Sequence, residues 1–160
     1  MAILQIVKDN DPIIRKRSRE VEKIDERVIR LIDDMHDTLV KADGAGLAAV
    51  QVGVLKRIVL VYVDDMKLEL INPVILSQEG EQESVEGCLS CPNKWAITKR
   101  PNKVKVEYTD RHGERKTIEG TGLMAKAFCH EIDHLSGKLF YDENVVKILS
   151  DEELEEMFGR

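Results

Sequence analysis

The chain is poor in the features that would take it out of the ordinary globular class. Aromatic residues make up 4% of its 160 residues, with one Trp, three Tyr and three Phe, so its core must be mainly aliphatic. Three cysteines are too few, and odd in number, for a disulfide framework. Basic residues do not dominate. The 24 Lys and Arg against 30 Asp and Glu leave a net charge of −6, which argues against a broad electrostatic grip on nucleic acid. The longest apolar run, Ile58 to Val63, is strand-length and far short of the ~20 residues of a membrane helix. The first residues, Met1 to Asp11, lack the apolar run and small-residue cleavage site of a secretory signal. A cytoplasmic setting with free thiols and no membrane partner is expected. No repeat, low-complexity tract or Pro/Gly/Ser-rich linker divides the chain, and its length suits one domain over residues 1–160.

What is present reads as alternating helix and strand signals. Val28, Leu31, Ile32, Met35 and Leu39 recur at helical spacing and predict a helix over Glu26 to Lys41, with Asp25 as N-cap. His36 falls at the edge of that stripe, as a boundary or surface residue. Arg57 to Val63 predicts a buried strand. Leu68 to Leu76 predicts another, interrupted at Pro73 and therefore at an edge or bulged. Lys103 to Thr109 alternates cleanly, and a turn over Asp110 to Glu114, holding His112 toward water, leads to a partner strand over Arg115 to Glu119. A second helix is expected from Gly122 to Ser136, with Thr121 as N-cap and Gly137 as its stop. Ser150 and Glu153 have capping-box spacing and open a short acidic helix. Strands joined by turns rather than helices predict an α+β fold of mostly antiparallel strands around the second helix, flanked by an N-terminal and a short C-terminal helix.

The strongest chemical signal is His130-Glu131-Ile132-Asp133-His134. On a helix four residues turn about 400°, so both imidazoles lie on one face, one turn apart, and can share a metal ion. Glu131, rotated about 100° from His130, can reach a water on that ion, whereas Asp133 points to the far side and caps a strand or loop. Two histidines leave the site incomplete. The third-histidine position of one large metallopeptidase class is taken here by Phe140. A thermolysin-like peptidase would use a downstream carboxylate such as Glu143, Glu152 or Glu153. The thiols offer other routes. Cys88 and Cys91, spaced Cys-x-x-Cys, could join His130 and His134 in a structural zinc site without catalysis. Cys129 precedes His130, faces away from it, and reads as buried filler.

Three blocks taken together resemble the peptide deformylase family: Gly44-Ala45-Gly46-Leu47-Ala48-Ala49-Val50-Gln51, Glu86-Gly87-Cys88-Leu89-Ser90, and His130 to His134. The likeness extends from Asp11-Pro12 through Leu139-Phe140 and includes Leu70-Ile71-Asn72-Pro73. It implies a hydrolase that removes the N-formyl group from new polypeptides beginning with formylmethionine and releases formate. It implies Cys88, His130 and His134 as ligands of one divalent ion, ferrous iron first, with nickel, cobalt or zinc able to substitute. It implies Glu131 as the proton carrier, and the Gln51 amide and Leu89 backbone N–H as oxyanion donors. Gly46, with Gly44, would lie against the substrate main chain, and Glu86 would anchor structure near the site. The partners implied are N-formylmethionyl nascent peptides, in transient proximity to the ribosome.

The chain departs from the commonest family pattern at a few positions. Val50 stands where proline is usual, Cys91 where an aliphatic residue is, Cys129 where glutamine is frequent, and Trp95 where an arginine near the substrate is common. Some relatives end in a basic helix implicated in ribosome docking. Asp151 to Glu156 is acidic, and repulsion from RNA disfavours that mode.

Overall fold

A computed structural model describes residues 2–158, so Met1, Gly159 and Arg160, the ends of the expected domain, lie outside the described residues. Strand β2 (Ile58–Val63) organises the fold. Its apolar run does not alternate with polar residues because both its faces are covered. Ile58 and Leu60 pack with Leu47 and Ile71 against helix α1 (Glu26–Ala42). Val59 and Val61 pack on the other face, with Ala48, Leu70 and Phe128, against helix α2 (Leu123–His134). The sheet around β2 is antiparallel and five-stranded. Its order is β1 (Gly46–Ala48), β2, β3 (Met66–Glu79), β6 (Lys103–Thr109) and β7 (Arg115–Thr121). A second sheet of three antiparallel strands places β5 (Cys91–Arg100) between β4 (Gln82–Cys88) and β8 (Val145–Ile148). The acidic α3 (Asp151–Phe158) closes the described chain. No described helix is long and apolar enough to cross a membrane.

The first helix begins as its sequence dictates: the Asp25 carboxylate accepts from the Val28 N–H at 3.0 Å. It stops where Asp43 turns left-handed, with φ of 55°. Strand β3 runs through Pro73 in the middle of the sheet, not at an edge. A bulge between Ile71 and Val74 removes the ladder bond that proline could not make. The same bulge frees the Asn72 side chain to bond both N–H and C=O of Val21, each at 2.9 Å, which fastens the N-terminal arm.

Two expectations need correction. Thr121 does not cap α2. It is the last residue of β7, and Gly122 takes the N-cap place at φ of 57° with no side-chain bond to the helix. The second sheet was also absent from the expected elements. Gln82 to Cys88 carries its two charges, Glu83 and Glu86, three positions apart and has Val85 as its one aliphatic residue, and β5 begins with a proline in its second place. Neither string has the period that marks a strand from sequence alone.

After α2 the chain reverses through Gly137, whose φ of 75° suits glycine, and a Cβ there would collide with the Arg15 carbonyl oxygen. The N-terminal arm is bound at the same place, with Ser18 N–H donating to the Leu135 carbonyl at 2.9 Å. Gly137→Ala should therefore cost roughly 3 kcal/mol, from left-handed strain and the forced separation of the two segments. A urea unfolding curve measures it; an unchanged midpoint would show that the turn relaxes freely.

Candidate active site

Helix α2 is buried nearly all round, and it carries its two histidines and Glu131 into the protein interior. His130 is 8% exposed, Glu131 5% and His134 1%. The two imidazole centroids are 5.0 Å apart. Phe140 stacks on the His130 ring at 6.1 Å, so the residue in the third-histidine position is packing, not ligation. Cys88 arrives from the end of β4, and its Sγ lies 3.3 Å from His134 Nε2. Among the described residues one trio of His, Cys and carboxylate side chains could hold a metal ion: the ligating atoms of Cys88, His130 and His134 all lie within 4.8 Å of one another. Around a tetrahedral ion with Zn–N near 2.0–2.1 Å and Zn–S near 2.3 Å, donors sit roughly 3.5 Å apart, so the trio fits such an ion.

The second coordination layer is equally built. Glu86, 4% exposed, bonds His130 Nδ1 and so leaves Nε2 for an ion. The same carboxylate accepts from Thr98 Oγ1 at 2.7 Å and from Arg100 Nε at 3.1 Å and Nη2 at 2.8 Å. Arg100 reaches on with Nη1 to Asp133 at 2.8 Å, which ties β5 to the far side of α2. Burial alone would raise the Glu86 carboxyl, but its bonds to His130 and Arg100 outweigh that and hold it well below the usual carboxylate range. Sequence reasoning missed Thr98 and Arg100. The only available signal was that a buried Glu86 requires a cation, and that requirement does not name one.

Each ionisable group is tuned by its surroundings. Burial pushes the Glu131 carboxyl up to about 7, against the opposing pull of His130. Burial, with His130 alongside, pushes His134 well below its ordinary value, so it is the neutral imidazole that ligation requires. Burial opposes the charged form of His130, but Glu131 and Glu86 together raise it. Glu131 Oε1 and His134 Nδ1 are buried without a hydrogen-bond partner among the described residues. An orphaned carboxylate oxygen beside an ion-sized cluster is what a proton-transferring group needs, since its partner is a water or a reactant.

The other expected residues converge on the same cavity of about 350 Å³, which is lined by Gly44, Gly46, Gln51, Cys88, Leu89 and Glu131 among others. Gln51 is fixed in the 3-10 turn Ala49–Val52 by Ala48 N–H, which donates to its Oε1 at 2.8 Å. Its Nε2 therefore points at Ser90 Oγ (3.1 Å) and Cys88 Sγ (3.5 Å). Leu89 packs beside Gly44, where an added Cβ would meet its Cδ1 at 2.9 Å. At Gly46 an added Cβ would lie 2.5 Å from Glu131 Oε2, so glycine there makes room for the carboxylate, a constraint separate from any contact with substrate. Trp95 lies flat against Gly87 and edge-on to Phe158, forming part of the rim.

The remaining candidates fall outside. Glu143 and Glu153 pair with Lys138 and Lys147, and Glu152 is exposed. A peptidase third ligand is therefore not favoured. Cys91 is buried beside Cys88 but is not one of the ligating trio, which removes the four-ligand structural site. His36 is half-buried and bonds Tyr62 and, at 2.6 Å, Glu69, while His112 is exposed in its turn. Cys129 is core filler with its thiol pushed up to about 11 by burial.

Two helix-borne imidazoles and a thiol that could hold an ion, with a buried carboxylate beside them, are the parts from which a metal-dependent hydrolase is built. Residues 3–148 match the family described as Polypeptide deformylase. The peptide deformylase of Acetivibrio thermocellus is 52% identical over 155 residues, covering 97% of this chain and 91% of the relative. That of Caldicellulosiruptor bescii is 49% identical over 160 residues, covering 100% and 96%. The crystal structure of a peptide deformylase from Legionella pneumophila superimposes with a TM-score of 0.86 at 41% identity, covering 99% of this chain and 92% of that one. The chain belongs to the peptide deformylase family, hydrolases that remove the N-formyl group from newly made polypeptides.

Glu86→Gln tests the buried network. Breaking a buried pair leaves Arg100 with only the partly exposed Asp133 as counter-charge, a loss of about 3 kcal/mol. Loss of the His130 orienter should weaken metal binding about 10–100-fold. The wild-type pH dependence has a definite sign. The folded Glu86 pKa is below its unfolded value of about 4.3, so its stabilisation is complete above that pH and is lost as pH falls below it. Urea midpoints between about pH 7 and 3 should fall more steeply for wild type than for Glu86→Gln; parallel curves would assign the acid sensitivity elsewhere.

Proposed function

We propose that residues 1–160 act as a single catalytic domain in which Cys88, His130 and His134 hold the metal and Glu131 carries the proton during hydrolysis of the formyl amide. The observation that supports it most is the buried, partnerless Glu131 oxygen beside the three ligating side chains. Two imidazoles and a thiolate suit a borderline-soft divalent ion. The family likeness points to ferrous iron, with nickel, cobalt or zinc able to substitute. When bound, the ion supplies Lewis acidity and lowers the pKa of a water at the site.

The chain's own residues do the rest. Glu131 accepts a proton from the attacking water through its unpartnered oxygen and delivers it to the departing amine nitrogen. The Gln51 amide, aimed by its bond from Ala48, and the Leu89 backbone N–H donate to the oxygen that gains charge at the formyl carbon. Each such donor is worth about 3 kcal/mol at the transition state. Strand β1 is an edge of its sheet, so the main chain at Gly46 can pair with an extended peptide, and Gly44 keeps that approach open. The substrates are N-formylmethionyl nascent chains, met in the cytoplasm in transient proximity to the ribosome. The acidic face of α3 repels RNA and gives no direct nucleic-acid contact.

Formate release from a formyl-Met peptide, assayed without oxygen on iron- or nickel-loaded protein, tests the reading; no formate from metal-replete protein would sink it. Glu131→Gln should keep one metal per chain and lose about 10²–10⁴-fold in kcat, because it removes the proton carrier and not a ligand. Gly46→Ala should also keep its metal while lowering kcat, because the new methyl displaces the Glu131 carboxylate. If that variant raised KM alone, Gly46 would serve only substrate binding.

A further inference from the structure

Cys91 is a thiol in the cavity wall with no part in hydrolysis. It opens β5, three residues after Cys88 closes β4, and the two are register partners across the hairpin. Antiparallel partners have Cα atoms about 4.5–5.5 Å apart, inside the 4.4–6.8 Å span a disulfide needs. The two thiols are in direct contact. Both residues line the cavity, so a small oxidant that reaches one reaches the other. Cys129, the third thiol, sits in the aliphatic core on α2.

We propose that Cys91 is a resolving thiol: under hydroperoxide it closes a reversible disulfide with Cys88, which releases the metal and spares the Cys88 sulfur from irreversible oxidation. The proposal rests on the assignment of Cys88 as a metal ligand. In the first step a sulfur of the pair attacks one peroxide oxygen; the O–O bond breaks, a sulfenic acid forms, and water or alcohol leaves. In the second step the other sulfur attacks the sulfenic sulfur; the S–O bond breaks and the hydroxyl departs as water with the second thiol proton. Two sulfurs are oxidised by one electron each, and the two peroxide oxygens are reduced. A disulfide sulfur no longer offers the thiolate that ligation requires, so two imidazoles alone remain and the ion dissociates. A dithiol reductant regenerates both thiols. Without Cys91 the sulfenic acid at Cys88 meets more peroxide and proceeds to the sulfinic acid, which a dithiol does not reverse.

The test uses nickel-loaded full-length protein, reduced and kept without oxygen, with formate release measured first so that a failed deformylase reading is recognised by itself. Hydrogen peroxide is then added, and freed nickel, alkylatable thiols and peptide masses are followed. Wild type should lose two of its three thiols, those of Cys88 and Cys91, in one cross-linked peptide lighter by about 2 Da, while Cys129 stays alkylatable. Nickel should be released in step, and dithiothreitol plus nickel should restore thiols and metal content. In Cys91→Ser, or Cys91→Ala if the serine variant binds no nickel, Cys88 should gain about 32 Da and neither thiol nor metal should return. Wild-type Cys88 that gains oxygen while Cys91 remains alkylatable would overturn the proposal. So would thiols that survive peroxide unchanged, or a disulfide to Cys129. The wild-type peptide masses decide the matter even if both variants misfold.

Discussion

The site depends on one buried carboxylate. Glu86 belongs to the smaller sheet, His130 and Asp133 belong to α2, and Arg100 spans between them. Removing Glu86 and Arg100 from water is costly, and their mutual bonds offset that cost only because every guanidinium edge used here and both carboxylate oxygens find partners. The geometry that satisfies them leaves little freedom in how β4 lies against the helix. Cys88 follows Glu86 by two residues on that strand, so fixing the carboxylate fixes the thiol. The same carboxylate sets the tautomer of His130. The place of the Cys88 thiol, the orientation of His130 and the docking of a sheet are thus one constraint.

The larger sheet contributes by being covered on both sides. Because β2 buries Ile58 and Leu60 against α1 and Val59 and Val61 against α2, the sheet is held rigidly and its edge strand β1 is presented next to α2. That edge carries Gly46, and the turn after it carries Gln51. Gly46 could not approach Glu131 so closely if it bore a side chain, since an added Cβ would lie 2.5 Å from Glu131 Oε2. Packing of ordinary aliphatic residues therefore determines where the Glu131 carboxylate and the Gln51 amide line one cavity.

What could be read from the chain beforehand follows from how local each feature is. The two histidines and Glu131 were legible because a helix of known pitch converts spacing into direction. Helix α1 and the β6–β7 hairpin were legible from period and turn chemistry. The smaller sheet was not, since Gln82 to Cys88 is neither alternating nor apolar, and its stability comes from Thr98 and Arg100, which are distant in sequence. The start of α2 was misread because Thr121 has a capping side chain but is already committed to the β7 ladder, and tertiary pairing overrode local preference. Pro73 suggested an edge or a bulge; only the three-dimensional pairing shows that a bulge lets a proline sit in a central strand. The spacing of Cys88 and Cys91 was visible, but their pairing across a hairpin was not, for a related reason. Three residues of separation fit several arrangements, and only the β4–β5 pairing sets the two residues opposite each other.

The charges around α2 explain why such a fold favours a cation. Glu86, Asp133, Glu131 and a Cys88 thiolate face a single buried guanidinium, that of Arg100. Burial, with Glu86 adding to it, holds Glu131 up to about 7, and the contact with Cys91 and burial, with Glu131 adding to them, raise the Cys88 thiol. A divalent cation at the trio offsets the surplus and acts in the opposite direction on both groups, favouring thiolate and carboxylate together. Metal binding and the readiness of Glu131 to accept a proton are then coupled through the same buried field. A third histidine in place of Cys88 would remove one negative charge from that balance. It would leave a stronger Lewis acid but a weaker electrostatic claim on the ion, and it would take away the sulfur through which Cys91 can act.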